Sequence, residues 1–150
     1  MVLLLQEIAR ELVYTAITEP WSAADQERHI SELSPRETIH IAEDQQKHPI
    51  GYQALELWAP SIASMAHVGQ VGTFIKAGWR RRGVGRMLFR HTRAFAVAHG
   101  YGKLVIQVRA SNSAAQAFYQ GLGFYECGRL ARQVRIGPVE EDEILMELFL

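Results

Sequence analysis

Arg80-Arg81-Arg82-Gly83-Val84-Gly85-Arg86 is the stretch on which the reading of this chain turns. It lies between a strand-like run, Ala66 to Ile75, and a helical pattern that opens near Gly83. Two glycines two positions apart let a backbone turn tightly and approach a ligand with no Cβ in the way. The N–H groups of a helix's first turn have no partner inside the helix, and the helix dipole favours anions there by about 0.3–1 kcal/mol. The junction therefore reads as a cradle for a pyrophosphate, with a solvated basic turn as the bland alternative. Two familiar phosphate motifs are excluded. A dinucleotide fingerprint needs a third glycine where Leu88 stands, and a P-loop needs Gly-Lys-Ser/Thr where the chain has Gly85-Arg86-Met87.

Downstream of the junction, spacing predicts a helix with Val84, Met87, Leu88, Phe95 and Ala98 on its buried face, ended by Gly100 in a left-handed cap. Leu104-Val105-Ile106 and Val108 form a short apolar strand of the kind covered on both faces. A helix over Ser113 to Gln120 and strands near Phe124–Arg135 and Glu143–Leu150 complete that half. Upstream, Leu4, Leu5, Ile8, Leu12 and Val13 predict an amphipathic helix over residues 3–17, stopped before Pro20. Trp21 to Leu33 reads as a second helix with Ser22 as N-cap, and Thr38–Glu43 with Ile50–Leu57 as an antiparallel strand pair. Gly69 and Gly72 inside the third strand imply a bulge or a close backbone approach. Helices between the middle strands and hairpins at both ends imply a mixed sheet in an α/β domain.

The chain has 150 residues and a net charge of zero, with 48% hydrophobic and 21% charged residues, which describes a globular domain. No repeat or low-complexity linker divides it, so residues 1–150 are expected to form a single domain. One cysteine, Cys127, excludes an internal disulfide and a Cys-rich zinc site, and on a predicted strand it is expected to be a small buried hydrophobe. His29, His40, His48, His91 and His99 show no metal-ligand spacing, so no metal is expected. No apolar run reaches the roughly 20 residues of a membrane helix, and the start of the chain lacks a signal-peptide pattern. A cytoplasmic protein is the expectation, without a membrane partner. The zero net charge conceals a segregation: residues 57–125 hold nine bases and no acid, while both flanking segments are acidic. The acid-free stretch is where an anionic ligand belongs.

A second constellation follows at Asn112, Ala115, Phe118, Tyr119, Gly123 and Phe124. Together with Arg80, Gly83 and Gly85, it makes residues 65–128 resemble the GNAT superfamily of acyl-CoA-dependent N-acetyltransferases. The resemblance implies a mixed, mostly antiparallel central sheet with a splayed strand pair flanked by helices. It implies acetyl-CoA as acyl donor and CoA as product, with backbone groups near Phe74 and Ile75 along the pantetheine arm. The segment Arg80, Arg81, Arg82, Gly83, Val84, Gly85 and Arg86 would hold the pyrophosphate. Asn112, Ala115 and Phe118 would lie by the cofactor arm, and Tyr119 would face the sulfur. A phenol with a pKa near 10 keeps its proton at neutral pH and can donate it to a thiolate.

The general base is less evident. In the branch resembling ribosomal-protein alanine N-acetyltransferases a glutamate stands where this chain has Gln107, and Ala66 to Ile75 contains no glutamate either. His67 and Glu56 are the remaining candidates. The expected activity is direct acetyl transfer to a primary amine, of a small molecule, a peptide or protein N-terminus or a lysine, by a monomer or homodimer. Two other readings stand beside it, a catalytically silent acyl-CoA sensor and a small RNA-binding module. Nucleic acid is not an expected partner, since the Arg80 to Arg93 patch has only Trp79 and Phe89 as stacking surfaces.

Overall fold

The structure, a computed structural model, describes residues 2–11, 15–17, 19 and 21–150. In chain order the elements are α1 (Val2–Ala9), α2 (Ala23–Glu32), β1 (Thr38–Glu43), β2 (Pro49–Leu57), β3 (Val68–Ile75), α3 (Val84–Ala98), β4 (Lys103–Arg109), α4 (Ser113–Gln120), β5 (Tyr125–Ile136) and β6 (Val139–Phe149). They build one six-stranded sheet in the order β1-β2-β3-β4-β6-β5. Every neighbouring pair is antiparallel except β3 and β4, which are parallel. This is the mixed, mostly antiparallel α/β sheet expected from the sequence.

Strand alternation sorts the two faces. Leu55, Val71, Leu104 and Ile106 point to the face covered by α3 and α4, where Phe89, Ala96, Tyr119 and Phe124 complete the main core. Tyr52 and Phe74 point the other way, under Leu4 and Ile8 of α1. The α1 expectation holds for Leu4, Leu5 and Ile8, all buried. Leu12, Val13 and Pro20, named for the same helix and its stop, lie outside the described residues. Ser22 caps α2 as expected, its hydroxyl accepting from the Asp25 N–H at 3.2 Å.

Two expectations are corrected, and one pair of alternatives is decided. The buried stripe of α3 is Val84, Leu88, Phe89, Thr92 and Ala96, whereas Met87 and Ala98 are exposed. An apolar pattern alone does not fix the phase of the stripe, and the observed phase includes Thr92, whose polar side chain gives no apolar signal. Gly69 and Gly72 make no bulge, since the β2–β3 register runs unbroken from Gly51–Ile75 to Leu57–Gly69. Gly69 answers to the close approach instead: a Cβ there would meet Leu55 Cδ1 at 2.7 Å and Tyr101 Cε1 at 2.9 Å. Cys127 is exposed, because it is the extra residue at the β5 register shift between Glu126 and Gly128.

Candidate active site

The parallel pair β3–β4 is joined only at Val68–Lys103, Gly69–Leu104 and Gln70–Val105. Beyond Gln70, β3 continues to Ile75 paired with β2 alone, and β4 continues to Arg109 paired with β6 alone. The two strands run in the same direction and separate, so two backbone edges with unused hydrogen-bonding groups face an opening. Gln70 Nε2 donates to Gln107 Oε1 at 3.3 Å across the closed end of this opening. Both side chains lie on the α1 face by strand alternation.

On the opposite face the opening is floored by a buried polar cluster. Tyr119 Oη donates to Thr73 Oγ1 at 2.7 Å, and Gln53 Nε2 donates to the same oxygen at 2.7 Å. Gln53 is fully buried, and its Oε1 has no hydrogen-bond partner. An orphaned buried acceptor costs about 1–3 kcal/mol, in a cluster that faces the opening. Burial pushes the Tyr119 phenol up to about 12, while the Thr73 hydrogen bond acts in the opposite sense. The ring is held edge-on between Phe118 and Phe124, with centroids at 4.9 and 5.3 Å.

The loop after β3 ends in the N-terminus of α3. Gly83 caps the helix with φ +83° and no side-chain cap, and space for a Cβ is open there, so the left-handed backbone is its reason for being glycine. Gly85 has a different reason: its Cβ would sit 2.9 Å from Phe118 Cζ. The second glycine thus seats the first turn of α3 on α4. Arg81 is also left-handed, at φ +59°, a strain of order 1–3 kcal/mol in a non-glycine residue. The N–H groups of Val84, Gly85 and Arg86 precede the first helical hydrogen bond, from Met87 N–H to the Gly83 carbonyl.

The charge segregation is resolved in three dimensions. Four of the nine bases reach acids from the flanking segments: Lys76 with Glu7 at 3.0 Å, Arg80 with Glu11, Lys103 with Glu147, and Arg109 with Glu141 at 2.6 Å. Arg80 grips Glu11 through both terminal nitrogens, at 2.8 and 2.6 Å, and donates Nε–H to the Ile75 carbonyl at 2.9 Å. Its side chain clamps the loop to the end of the N-terminal helix. Arg81, Arg82, Arg86, Arg90 and Arg93 form no ion pair among the described residues. Arg82 stands over the Trp79 ring at 5.4 Å. Arg86, Arg90 and Arg93 line a groove of about 1040 Å³ together with Gly83, Gly121 and Leu122.

Of the other residues named from sequence, Asn112 caps α4, its Oδ1 accepting from the Ala115 N–H at 3.1 Å, and Ala115 and Phe118 pack against the main core. Phe74 stacks on Tyr52 with centroids at 4.8 Å on the α1 face. Glu56 sits opposite Gln70 in the β2–β3 register and lies 2.9 Å from His29 Nε2. His67 is not brought to the opening. It is exposed, lies before β3 on the closed side, and spends its carbonyl on the Gly102 and Lys103 N–H groups. At about 3.3 Å per residue, the six positions to Thr73 span roughly 20 Å. Sequence reasoning missed Thr73, Gln53, Gln70 and His29. Hydroxyl and amide side chains on strands carry no motif, and only the alternation of β2 and β3 signals that Gln53 and Thr73 share a face.

The sequence model described as Acetyltransferase (GNAT) family matches residues 5–124. A [Ribosomal protein bS18]-alanine N-acetyltransferase of Salmonella typhimurium is 40% identical over 70 residues, which are 47% of this chain and 47% of that protein. The chain thus matches about half the length of such curated relatives. Among solved structures, a ribosomal-protein-alanine N-acetyltransferase from Brucella melitensis superposes with a TM-score of 0.89 at 18% identity, over 99% of this chain and 91% of that one. A phosphinothricin acetyltransferase from Sinorhizobium meliloti, in complex with AcCoA, gives 0.91 at 17% identity, over 99% and 80%.

Proposed function

The chain belongs to the GNAT acetyltransferase family, and on that premise we propose that it moves an acetyl group from acetyl-CoA to a primary amine by direct attack. The observation that carries this reading is the β3–β4 pair that opens beyond Gln70 and Val105, with a buried phenol at its floor and an uncapped helix N-terminus at its mouth.

The residues present fit acetyl-CoA. The free β3 and β4 edges, including backbone near Phe74 and Ile75, suit an amide-bearing pantetheine arm. The N–H groups from Arg81 to Arg86 suit a pyrophosphate, with Arg80 keeping the loop in place rather than meeting phosphate through its side chain. The arginine-lined groove beside Gly121 suits the remaining phosphate of the cofactor. When bound, the thioester supplies an acyl carbon open to attack and a thiolate leaving group.

The other steps belong to this chain's own side chains. Tyr119 donates its phenolic proton where the thiolate develops. Its pKa of about 12 exceeds that of an ordinary thiol near 8.5. The same burial raises a thiolate's basicity, so donor and acceptor rise together. Glu56, supported by His29, takes the amine's proton on the α1 face, directly or through water. Gln70 and Gln107 at the closed end orient the amine without being able to accept its proton. Acidic residues of the flanking segments favour a cationic acceptor, a small-molecule amine, a peptide or protein N-terminus or a lysine. On this reading residues 1–150 act as one cytoplasmic N-acetyltransferase domain, a monomer or a homodimer.

The amide pair at the position of a catalytic glutamate favours one second reading, a silent acyl-CoA sensor. A panel of amines and amino-terminal peptides assayed for acetyl-CoA-dependent thiol release separates the two. Release with any amine supports the enzyme, and cofactor binding without release across the panel supports the sensor.

A further inference from the structure

The phenol proposed to protonate sulfur has one hydrogen, and in the structure that hydrogen is directed at Thr73 Oγ1. Thr73 Oγ1 also accepts from Gln53 Nε2. A hydroxyl has two lone pairs and one hydrogen. Both of these contacts use lone pairs of Thr73 Oγ1 and neither uses its hydrogen. Rotation about the Thr73 Cβ–Oγ1 and Tyr119 Cζ–Oη bonds, with no heavy atom moving, reverses the contact: Thr73 then donates to Tyr119 Oη, and the Tyr119 hydrogen is free for another acceptor. Gln53 is suited to hold Thr73 through this exchange. Its amide is fully buried, and its Nε2 bond to Thr73 persists in both arrangements while its Oε1 has no partner.

We propose that Thr73, held by Gln53, is the positioning residue that turns Tyr119 into a proton donor and stabilises the phenolate it leaves. This rests on the acetyl-transfer reading above. In the step, the Tyr119 O–H bond breaks and an S–H bond forms on the departing thiolate. The negative charge moves to Tyr119 Oη, where the Thr73 hydroxyl donates to it. Tyr119 recovers a proton from the medium after the thiol leaves. The nitrogen loses two protons in passing from ammonium to amide, one before attack and one as the tetrahedral intermediate collapses; one balances the proton given to sulfur, and one is released overall.

The test is a double-mutant cycle of Thr73→Val and Tyr119→Phe, with Thr73→Ser as the conservative variant and Thr73→Ala replacing valine if that variant does not fold. Thr73→Val is expected to lower kcat about 10- to 100-fold with KM for acetyl-CoA changed less than threefold. Serine restores most of the loss, and the valine effect vanishes in the Tyr119→Phe background. Losses that multiply in the double variant overturn the proposal, as does a kcat of Thr73→Val within threefold of the unmodified protein. A second readout does not need turnover: the ¹³Cζ resonance of Tyr119, assigned by its loss in Tyr119→Phe, is expected to shift in Thr73→Val and return in Thr73→Ser. An unmoved resonance in Thr73→Val overturns the coupling. If the unmodified protein acetylates no amine, the acetyl-transfer reading fails, and this resonance still decides whether Thr73 governs the phenol.

Discussion

Gly85→Ala is a small change with a large lever. A Cβ at that position stands 2.9 Å from Phe118 Cζ and 3.1 Å from Cε2, so the ring or the first turn of α3 must move. Phe118 is partly buried against the main core and edge-on to Tyr119, which limits where the ring can go. Overpacking of this kind costs about 1–3 kcal/mol. Alanine in place of glycine in a helix returns up to about 1 kcal/mol. The net expectation is a loss of about 1 kcal/mol, or about 2–4 °C in Tm for a chain of this size. Urea unfolding and a thermal scan read it directly. The companion variant Phe118→Leu removes the obstructing ring edge. On that background the same Gly85→Ala change should become stabilising, leaving only the helix-propensity gain. Acetyl-CoA affinity should fall in Gly85→Ala, because the moved turn carries the N–H groups assigned to pyrophosphate. If Gly85→Ala stabilises the otherwise unmodified protein, the seating of α3 on α4 through this glycine is wrong.

Other consequences concern the chemistry and the pH response. Tyr119→Phe should lower kcat by about 10²–10⁴ while acetyl-CoA affinity stays within threefold, and steady-state kinetics at pH 7–9 with unchanged turnover would remove the proton donor. Glu56→Gln should lower kcat/KM for the amine by about 10²-fold or more, whereas a value within threefold of the unmodified protein dismisses Glu56 as base. His40 is half-buried, 3.2 Å from Thr92 Oγ1 and close to the His91 ring, and burial followed by His91 holds its pKa below 6.5. The unfolded chain therefore takes up the proton first, so stability is at its full value above pH 6.5 and is lost as pH falls below it. Urea unfolding from pH 7.5 to 5.5 should show that decline, with a smaller slope in His40→Gln, and an identical slope in the variant would refute the assignment.

Much of the fold was legible because it rests on periodicity and glycine. Val84 and Leu88 on one helical stripe, Gly100 as a left-handed end at φ +75°, and the apolar run Leu104–Ile106 each follow from local rules. The opening between β3 and β4 was legible through two motifs in register, not through either strand alone. What escaped is instructive. Met87 and Ala98 were assigned inward because apolar character alone cannot fix the phase of a short stripe. Cys127 faces outward because one bulge reverses the alternation of an edge strand. His67 looked suitable as a base because imidazole is the usual base near neutral pH, but its place at the closed side of the strand pair depends on the parallel register with β4, which sequence does not display. Glu56, by contrast, sits opposite Gln70, three positions closer along β3 to Thr73 than His67 is. The polar floor of Gln53, Thr73 and Tyr119 was invisible except for its tyrosine.

The net charge of zero acquires a structural meaning as well. The acidic flanks neutralise Lys76, Arg80, Lys103 and Arg109, whereas Arg81, Arg82 and Arg86 around Gly83 form no ion pair among the described residues.

The most direct test is therefore thermal unfolding with and without acetyl-CoA. At 100 times its dissociation constant the ligand should add about 2.7 kcal/mol, an upward shift of about 5–11 °C, and the shift should shrink in Arg86→Ala. No shift at millimolar acetyl-CoA would contradict the account at its centre.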